Sequence, residues 1–376
     1  MKILVVDESK ALDLALKLQK SGHDIRYISN DQAGENLVVK YQTWKDRIGW
    51  SDMVIFTGHS HASYVEVLKR KEKPVIGVTK FLSQLKDDVV FRNQLLTGLK
   101  LSVAEHEYFN SYEDAKVYLK NGKHTLKPTT NDLFQYSAES VDDMIAMLDY
   151  MKLFFKTPEF VLEKTPEGIL LEVGAWHNGF KFIRPIVNKL GNAIRFTKTN
   201  RLFGETLVYL DPYLKNSRYT GYIGLRCYIR EGEKPIIDDI VFGMETPIFQ
   251  LQDQVIKEDW GSFLFNLSQG SLSTIKVMPR WCYAIKVFSK SVPIFLNDTE
   301  KFSHFVEIIR VGNHIHAIGP NPLICCGHAM TMKEAYRRAK ETVESVGANG
   351  KSYNTEAPEL DDYKVLKKLG YLDVSG

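Results

Sequence analysis

Two charged residues stand where strands are expected to end. Lys127 closes His124-Thr125-Leu126-Lys127 just before Pro128, and Glu163 sits near the end of the apolar run Phe160-Val161-Leu162-Glu163-Lys164. An ammonium at a strand end is a point charge for a phosphate oxygen, and the backbone of an edge strand offers hydrogen-bonding groups to a base. Lys127 and Glu163, with Lys164 beside them, are therefore expected to face each other across a nucleotide-shaped gap between two sheets. Asp238 and Asp239, in Ile237-Asp238-Asp239-Ile240, are oxygen ligands of the kind a hard divalent cation takes. Adjacent strand residues face opposite ways, so only one of the two is expected to serve.

Other groups suit a substrate. Asp7-Glu8-Ser9-Lys10 follows the first apolar strand, and two carboxylates at a helix N-terminus occupy the place of an anion and repel a phosphate. His59-Ser60-His61 lies at the mouth of a parallel sheet, where such sheets bind ligands. Alternate loop histidines without a third ligand do not make a metal site. Asp7, Ser9 and His59, together with Asn200 and Arg201, are the residues expected to meet substrates. His314-Ile315-His316 reads as a solvated strand face, and Tyr41, Trp44 and Trp50 read as core rather than as a stacking platform.

The elements that must position these groups are legible from apolar periodicity. From Lys2 to Val78, strands Ile3–Val6, Asp24–Ile28, Met53–Phe56 and Pro74–Val78 alternate with helical stretches, the signature of a parallel sheet covered by helices. Ser111 caps a helix reaching Leu119, and Ser140 with Asp143 caps another whose apolar face is Val141, Met144, Ile145, Leu148 and Met151. The stretch from Thr197 to Phe242 reads as strand-rich, and a helix is expected over Ile256 to Leu267. Near Met278 a smaller unit begins, with strands, one helix opened by Thr331-Met332-Lys333-Glu334 and a polar tail.

The chain has 376 residues, too many for one simple core, so two or three domains are expected. We read residues 1–100 as an α/β domain, 101–277 as a central domain with 125–180 as its nucleotide-binding part, and 278–376 as a small β-rich domain. A formal net charge of +3 gives no support for a nucleic-acid or membrane-surface footprint. The apolar runs are strand-sized, so no membrane span is expected. The N-terminus reads as a core strand rather than a signal peptide. Cys227, Cys282, Cys325 and Cys326 form no Cys-x-x-Cys pair and read as buried thiols of a cytoplasmic protein.

The order of these fragments resembles the ATP-grasp superfamily, and within it the glycinamide ribonucleotide synthetase (phosphoribosylamine–glycine ligase) family. Phe91–Ala104 is similar to that family's helix and short glycine-led strand, and Leu126-Lys127-Pro128 to its nucleotide-binding lysine strand. Gly168–Trp176 with Asn178-Gly179 is similar to the strand pair after the adenine hinge, Tyr219-Thr220-Gly221-Tyr222 to the start of a central strand, and Ala329–Val346 to the C-terminal helix. The resemblance implies an α/β (α+β) fold: an N-terminal parallel-sheet pre-ATP-grasp domain, an ATP-grasp domain of two sheets and a small β-rich C-terminal domain. It implies ATP and Mg²⁺ as cofactors and a carboxylate–amine ligase that joins an amino acid such as glycine to an amine. Partners would be small molecules, with the chain a monomer or homodimer. Lys127, Glu163, Lys164 and Glu172 would hold the nucleotide, and Asp238 and Asp239 the metal.

The departures from the family cluster. Asp7-Glu8-Ser9-Lys10 replaces the glycine-rich loop that holds the phosphate of phosphoribosylamine. Residues 128–136, where a glycine-rich flap belongs, contain no glycine. The lysine of the Phe91 helix appears as Arg92 or Asn93. Leu170 stands where a ribose-binding glutamate would, with Glu172 on the same strand face as its substitute. The Glu-x-Asn-x-Arg metal strand reads Ile237-Asp238-Asp239-Ile240-Val241, so its arginine is gone. An alternative follows: a retired ATP site on a reused scaffold, either an amino-acid transferase for a pre-activated substrate, as in modified-nucleotide or viral DNA-base synthesis, or a non-catalytic binding protein.

Overall fold

The structure, a computed structural model, describes residues 1–119, 122–129, 135–155, 159–289, 293–296, 300–354 and 358–372, with the backbone alone at Glu300. The chain divides into two units: residues 1–80, 171–224 and 241–376 form unit 1, and residues 81–170 and 225–240 form unit 2.

Unit 1 begins with β1 (Lys2–Asp7), α1 (Leu12–Lys20), β2 (Asp24–Ser29), β3 (Val39–Lys40), β4 (Met53–Phe56), α2 (Ala62–Arg70) and β5 (Val75–Ile76). These strands form one parallel sheet in the order β3-β2-β1-β4-β5. β1 and β4 are buried along almost their whole length, as a sheet covered on both faces requires. Trp44 belongs to this core, packed among Leu4, Phe56, Val65 and Leu68. Arg26 lies over the rings of Tyr41 and Trp50, which are thereby occupied by a cation.

Unit 2 takes up the chain with α3 (Lys80–Asp87), α4 (Val89–Gly98), β6 (Ser102–Val103), β7 (His106–Phe109), α5 (Tyr112–Tyr118), β8 (His124–Pro128), β9 (Tyr136–Ala138), α6 (Val141–Lys152) and β10 (Phe160–Lys164). A four-stranded sheet runs β7-β10-β8-β9. α6 starts where Ser140 accepts the Asp143 amide at 3.1 Å, while Asp143 accepts the Glu139 amide at 3.0 Å. Met144, Leu148 and Met151, spaced by four and three residues, bury one helical face against Phe160, Leu162 and Leu126. Each such side chain contributes about 1.5–3 kcal/mol by leaving water.

The chain continues through β11 (Ile169–Asn178), β12 (Phe182–Leu190), β13 (Ala193–Thr197), α7 (Arg201–Glu205), α8 (Asp211–Asn216), β14 (Thr220–Ile229), β15 (Ile236–Phe242), α9 (Ile248–Asp253) and α10 (Trp260–Ser268). Residues 201–216 are helical, whereas the sequence reading made this stretch strand-rich. Asn200 starts α7 by accepting the Phe203 amide, and Pro212 occupies the first turn of α8, where its missing N–H costs nothing. α10 begins later than its apolar pattern suggests, because Asp259 accepts the Ser262 amide at 2.8 Å and sets the start. Ile256 instead bridges Val277.

The last stretch comprises β16 (Trp281–Phe288), β17 (Pro293–Leu296), β18 (Ser303–Phe305), β19 (Ile308–Val311), β20 (His314–Ala317), β21 (Leu323–Ala329), α11 (Met332–Ser345), β22 (Val346–Ala348), β23 (Ser352–Tyr353) and α12 (Leu360–Lys368). In unit 1 the large antiparallel sheet runs β18-β21-β16-β13-β12-β11-β14, and a small one runs β19-β20-β17-β22. The fold is thus mixed α/β, with one parallel sheet and several antiparallel ones. Among the described residues no helix is long and apolar enough to cross a membrane.

Candidate functional site

β8 and β10 pair antiparallel, with Lys127 opposite Val161 and Glu163 opposite Thr125. Side chains alternate across a strand, so Leu126, Phe160 and Leu162 enter the helix-covered core while Lys127 and Glu163 share the other face as diagonal neighbours. Their charges meet directly: Lys127 Nζ is 2.5 Å from Glu163 Oε2, and the side chains are 6% and 5% exposed. The sequence reading set them on opposite sides of a gap between two sheets. They lie instead side by side in one sheet, because β8 and β10 are adjacent strands.

Four further elements of unit 2 bring charge to this pair. Lys127 Nζ also donates to the carbonyl of Asp238 at 3.0 Å and lies 3.7 Å from its carboxylate. From α4, Arg92 Nη1 donates to Asp239 at 3.3 Å, and its Nη2 lies 3.9 Å from Glu163. Asn93, next in the helix, donates to Glu163 at 3.4 Å. Lys86 of α3 reaches Asp239 at 3.3 Å and the carbonyl of Ile240 at 3.1 Å. Arg226 of β14 binds Asp239 through Nη2 and lies 3.9 Å from Asp238 through Nε. Burial by itself would raise the Asp239 pKa, but Lys86, Arg226, Arg92 and Lys127 outweigh it and bring the carboxyl down to about 2.

Four cations therefore face three carboxylates in a largely dry setting. Arg92, 3% exposed, still has Nη2 buried with no hydrogen bond. A phosphate oxygen would satisfy that donor and share the neighbouring cations, so the site fits a polyphosphate. For Mg²⁺ the donors fit in kind, since that ion is held by one or two carboxylates together with substrate phosphates. Asp238 and Asp239 would be those carboxylates, and both are drawn into the cluster although their side chains start on opposite strand faces.

Lys86 and Arg226 are the members that sequence reasoning missed. Arg226 had a signal, as the lone charge in Tyr222-Ile223-Gly224-Leu225-Arg226-Cys227-Tyr228-Ile229. Lys86 had none, being one of two lysines on an amphipathic helix. Lys164 follows Glu163, so it points the other way, and its exposed side chain lies outside the cluster. Of the glycine-free stretch after Lys127, residues 130–134 fall outside the described residues.

The remaining expected residues lie in unit 1. Glu172 is buried on β11, where Tyr222 donates to Oε1 at 3.3 Å and Lys189 to Oε2 at 3.3 Å. Leu170, on the same strand face, is exposed. Asp7 is buried and fully engaged: Oδ1 accepts Thr57 Oγ1 at 2.7 Å and the Ser9 amide at 3.0 Å, while Oδ2 accepts the Ala11 amide at 2.8 Å and the Tyr27 hydroxyl. A carboxylate of the chain itself thus sits on the amides that open α1. Glu8 is held by Ser60 and by His61 at 3.3 Å, and exposed His59 belongs to the same loop. Ser9 Oγ is buried without a partner. Asn200 and Arg201 are not with this group. Asn200 donates to the Tyr371 carbonyl at 2.7 Å, and Arg201 pairs with Glu205 at 2.6 Å and donates to the Leu369 carbonyl at 3.1 Å. Both tie α7 to the C-terminal segment.

No known sequence family and no curated protein matches this chain. Solved structures do. The phosphoribosylamine–glycine ligase of Thermotoga maritima matches at 14% identity over 94% of this chain and 99% of its own, with a TM-score of 0.72. N5-carboxyaminoimidazole ribonucleotide synthetase of the same organism matches at 11% identity over 92% and 98%, TM-score 0.64. The biotin carboxylase domain of the Hydrogenobacter thermophilus 2-oxoglutarate carboxylase, solved with MgADP, ADP and bicarbonate, matches at 11% over 94% and 91%, TM-score 0.63. At such identities the likeness is one of fold: this chain has the ATP-grasp fold, built like that of phosphoribosylamine–glycine ligase.

Proposed function

We propose that the chain is an ATP-dependent carboxylate–amine ligase acting on small molecules in the cytoplasm, as a monomer or homodimer. One observation carries this reading: Lys127, Arg92, Lys86 and Arg226 converge in unit 2 around an unspent Arg92 donor, and that convergence sits on a fold shared with nucleotide-using ligases. The cations would hold the phosphates and carry the charge that develops on the transferred phosphoryl group. A substrate carboxylate oxygen attacks the γ-phosphorus, ADP leaves, and an acyl phosphate forms. The amine nitrogen then attacks the acyl carbon, phosphate departs, and the nitrogen loses a proton to give the amide. Mg²⁺, when bound at Asp238 and Asp239, would neutralise phosphate charge.

The acid we propose is an amino acid such as glycine. Asp7 supports an amine other than phosphoribosylamine, because its carboxylate already takes the Ser9 and Ala11 amides that a substrate phosphate would need. We further propose Glu163 as a nucleotide contact and Ser9 and His59 as substrate contacts. The test is ADP release by purified protein given Mg·ATP and a panel of amino acids and amines. Release that requires one acid and one amine supports the ligase, and silence across the panel removes it.

A second reading has its own support. Every carboxylate of the cluster is already paired with a cation, and Val241 stands where the metal strand's arginine belongs. A self-neutralised cluster suits a scaffold reused as an amino-acid transferase or binding protein. A thermal-shift titration separates the two, since Mg·ATP stabilises only a protein whose native state binds it.

A further inference from the structure

Within unit 1, a cavity of about 300 Å³ opens beside α11, lined by Lys301, Phe302, Cys326, His328, Arg338, Glu341 and Thr342. That volume is at the lower end of the range of small-molecule sites. Its floor is closed and spent. Thr342 is buried and donates to the Arg338 carbonyl at 3.0 Å. Cys326 is fully buried, and burial lifts its thiol pKa well above the ordinary value, so the sulfur is no nucleophile. The cavity is a place to bind rather than to bond.

In and behind the walls, cations outnumber the carboxylates among the described side chains. Arg280 Nη1 lies 3.2 Å from His328 Nδ1. A guanidinium only donates, so Nδ1 is the bare nitrogen and the ring is neutral. Burial, Arg280, Arg338 and Lys301 all press the ring towards that neutral form. Arg338 Nη1 donates to the His328 carbonyl at 3.1 Å, which fixes the guanidinium at the rim. Lys301 Nζ stands 4.9 Å from the centre of the Phe302 ring. On α11, Arg337 and Arg338 are matched by Glu334 and Glu341. Arg280 and Lys301 have no carboxylate partner among the described side chains. Among the described side chains the local balance is therefore four cations less two carboxylates, a surplus of two positive charges.

We propose that this cavity binds the phosphate group of a small phosphorylated molecule, taken between Lys301 and Arg338 with Arg280 and His328 behind. A phosphate monoester carries about −1.5 to −2 at neutral pH and matches the surplus. A carboxylate would leave one cation uncompensated. The proposal is independent of the ligase reading.

The test follows the His328 ring by heteronuclear NMR of the full chain, assigned with His328→Gln, during titration with inorganic phosphate at constant ionic strength. The expected result is a saturable movement of the His328 signal with phosphate and none with chloride. Affinity should fall at least tenfold in Arg280→Met and in Lys301→Met, the latter an exposed residue whose loss leaves folding intact. Acetate should bind at least tenfold more weakly than phosphate. Lys127→Met, which addresses the proposed nucleotide site, should leave the titration unchanged, so this proposal and the ligase reading fail separately. A His328 signal that ignores phosphate, a phosphate response that survives both Met variants, or acetate binding as tight as phosphate would each overturn the assignment.

Discussion

Replacing Asp239 by asparagine probes the cluster at its most connected carboxylate. The side chain is held by Lys86 and Arg92 at 3.3 Å each and by Arg226, and its pKa is brought from 3.8 to about 2. Near 1.4 kcal/mol per pKa unit, that difference corresponds to about 2.5 kcal/mol favouring the charged form in the folded state. Removing the charge also leaves Arg92, buried at 3% exposure, with only the distant Glu163 as counter-charge. Stranded buried charges cost about 3–5 kcal/mol, so the expected loss at pH 7 is roughly 2.5–4 kcal/mol. At roughly 2–4 °C per kcal/mol, the melting temperature falls by about 5–15 °C. The sign with pH is fixed. Because the folded pKa is depressed, the stabilisation is complete above the unfolded value and is lost as pH falls towards 2. About half should remain at pH 3. Scanning calorimetry of wild type and Asp239→Asn at pH 7, 4 and 3 reads this as a deficit that shrinks on acidification. A variant melting within 1 °C of wild type at pH 7, or a deficit that grows as pH falls, refutes the electrostatic account.

Three other outcomes follow. His304 is buried, which lowers its pKa, but Asp13 at 2.7 Å and Cys326 hold it well above the usual value. That stabilisation is present below about pH 6.5 and is lost as pH rises through the folded pKa, so ring NMR at pH 7.5 should find an imidazolium in wild type and a neutral ring in Asp13→Asn. At Gly327 an added Cβ would lie 2.5 Å from the Ala335 carbonyl oxygen and would strike the Ala339 amide of α11. Gly327→Ala should therefore cost about 3 kcal/mol or more, read as a lowered urea midpoint with an unchanged slope. Thr57→Val removes the 2.7 Å donor to Asp7 and the acceptor for the Glu8 and Ser9 amides, and should cost about 1–3 kcal/mol in the same assay.

Much of the scaffold was legible because local signals and global packing agree. The parallel sheet declared itself through buried apolar strands at regular spacing, and α6 and α11 through capping residues followed by one apolar face. Helical content at 201–216 was hidden, since these are short helices whose apolar residues pack inward without a long period. The displaced start of α10 turned on a single aspartate cap. The candidate site was legible in its members Lys127, Glu163, Asp238 and Asp239, but not in its arrangement. Whether two charges oppose each other across a gap or sit side by side depends on which strands are neighbours, and β8 and β10 are joined only after α6 intervenes. Lys86 was invisible for the same reason, since its partner Asp239 lies 153 positions on and is reached only through folding, whereas Arg226 was marked only as the lone charge of its strand.

Calorimetric titration of Mg·ATP into wild type and into a Lys127→Met variant with native circular dichroism tests the nucleotide site most directly. Saturable binding to wild type, weakened at least tenfold by the substitution, is the predicted result. Absence of binding to wild type at millimolar nucleotide, or equal binding by both proteins, would contradict it.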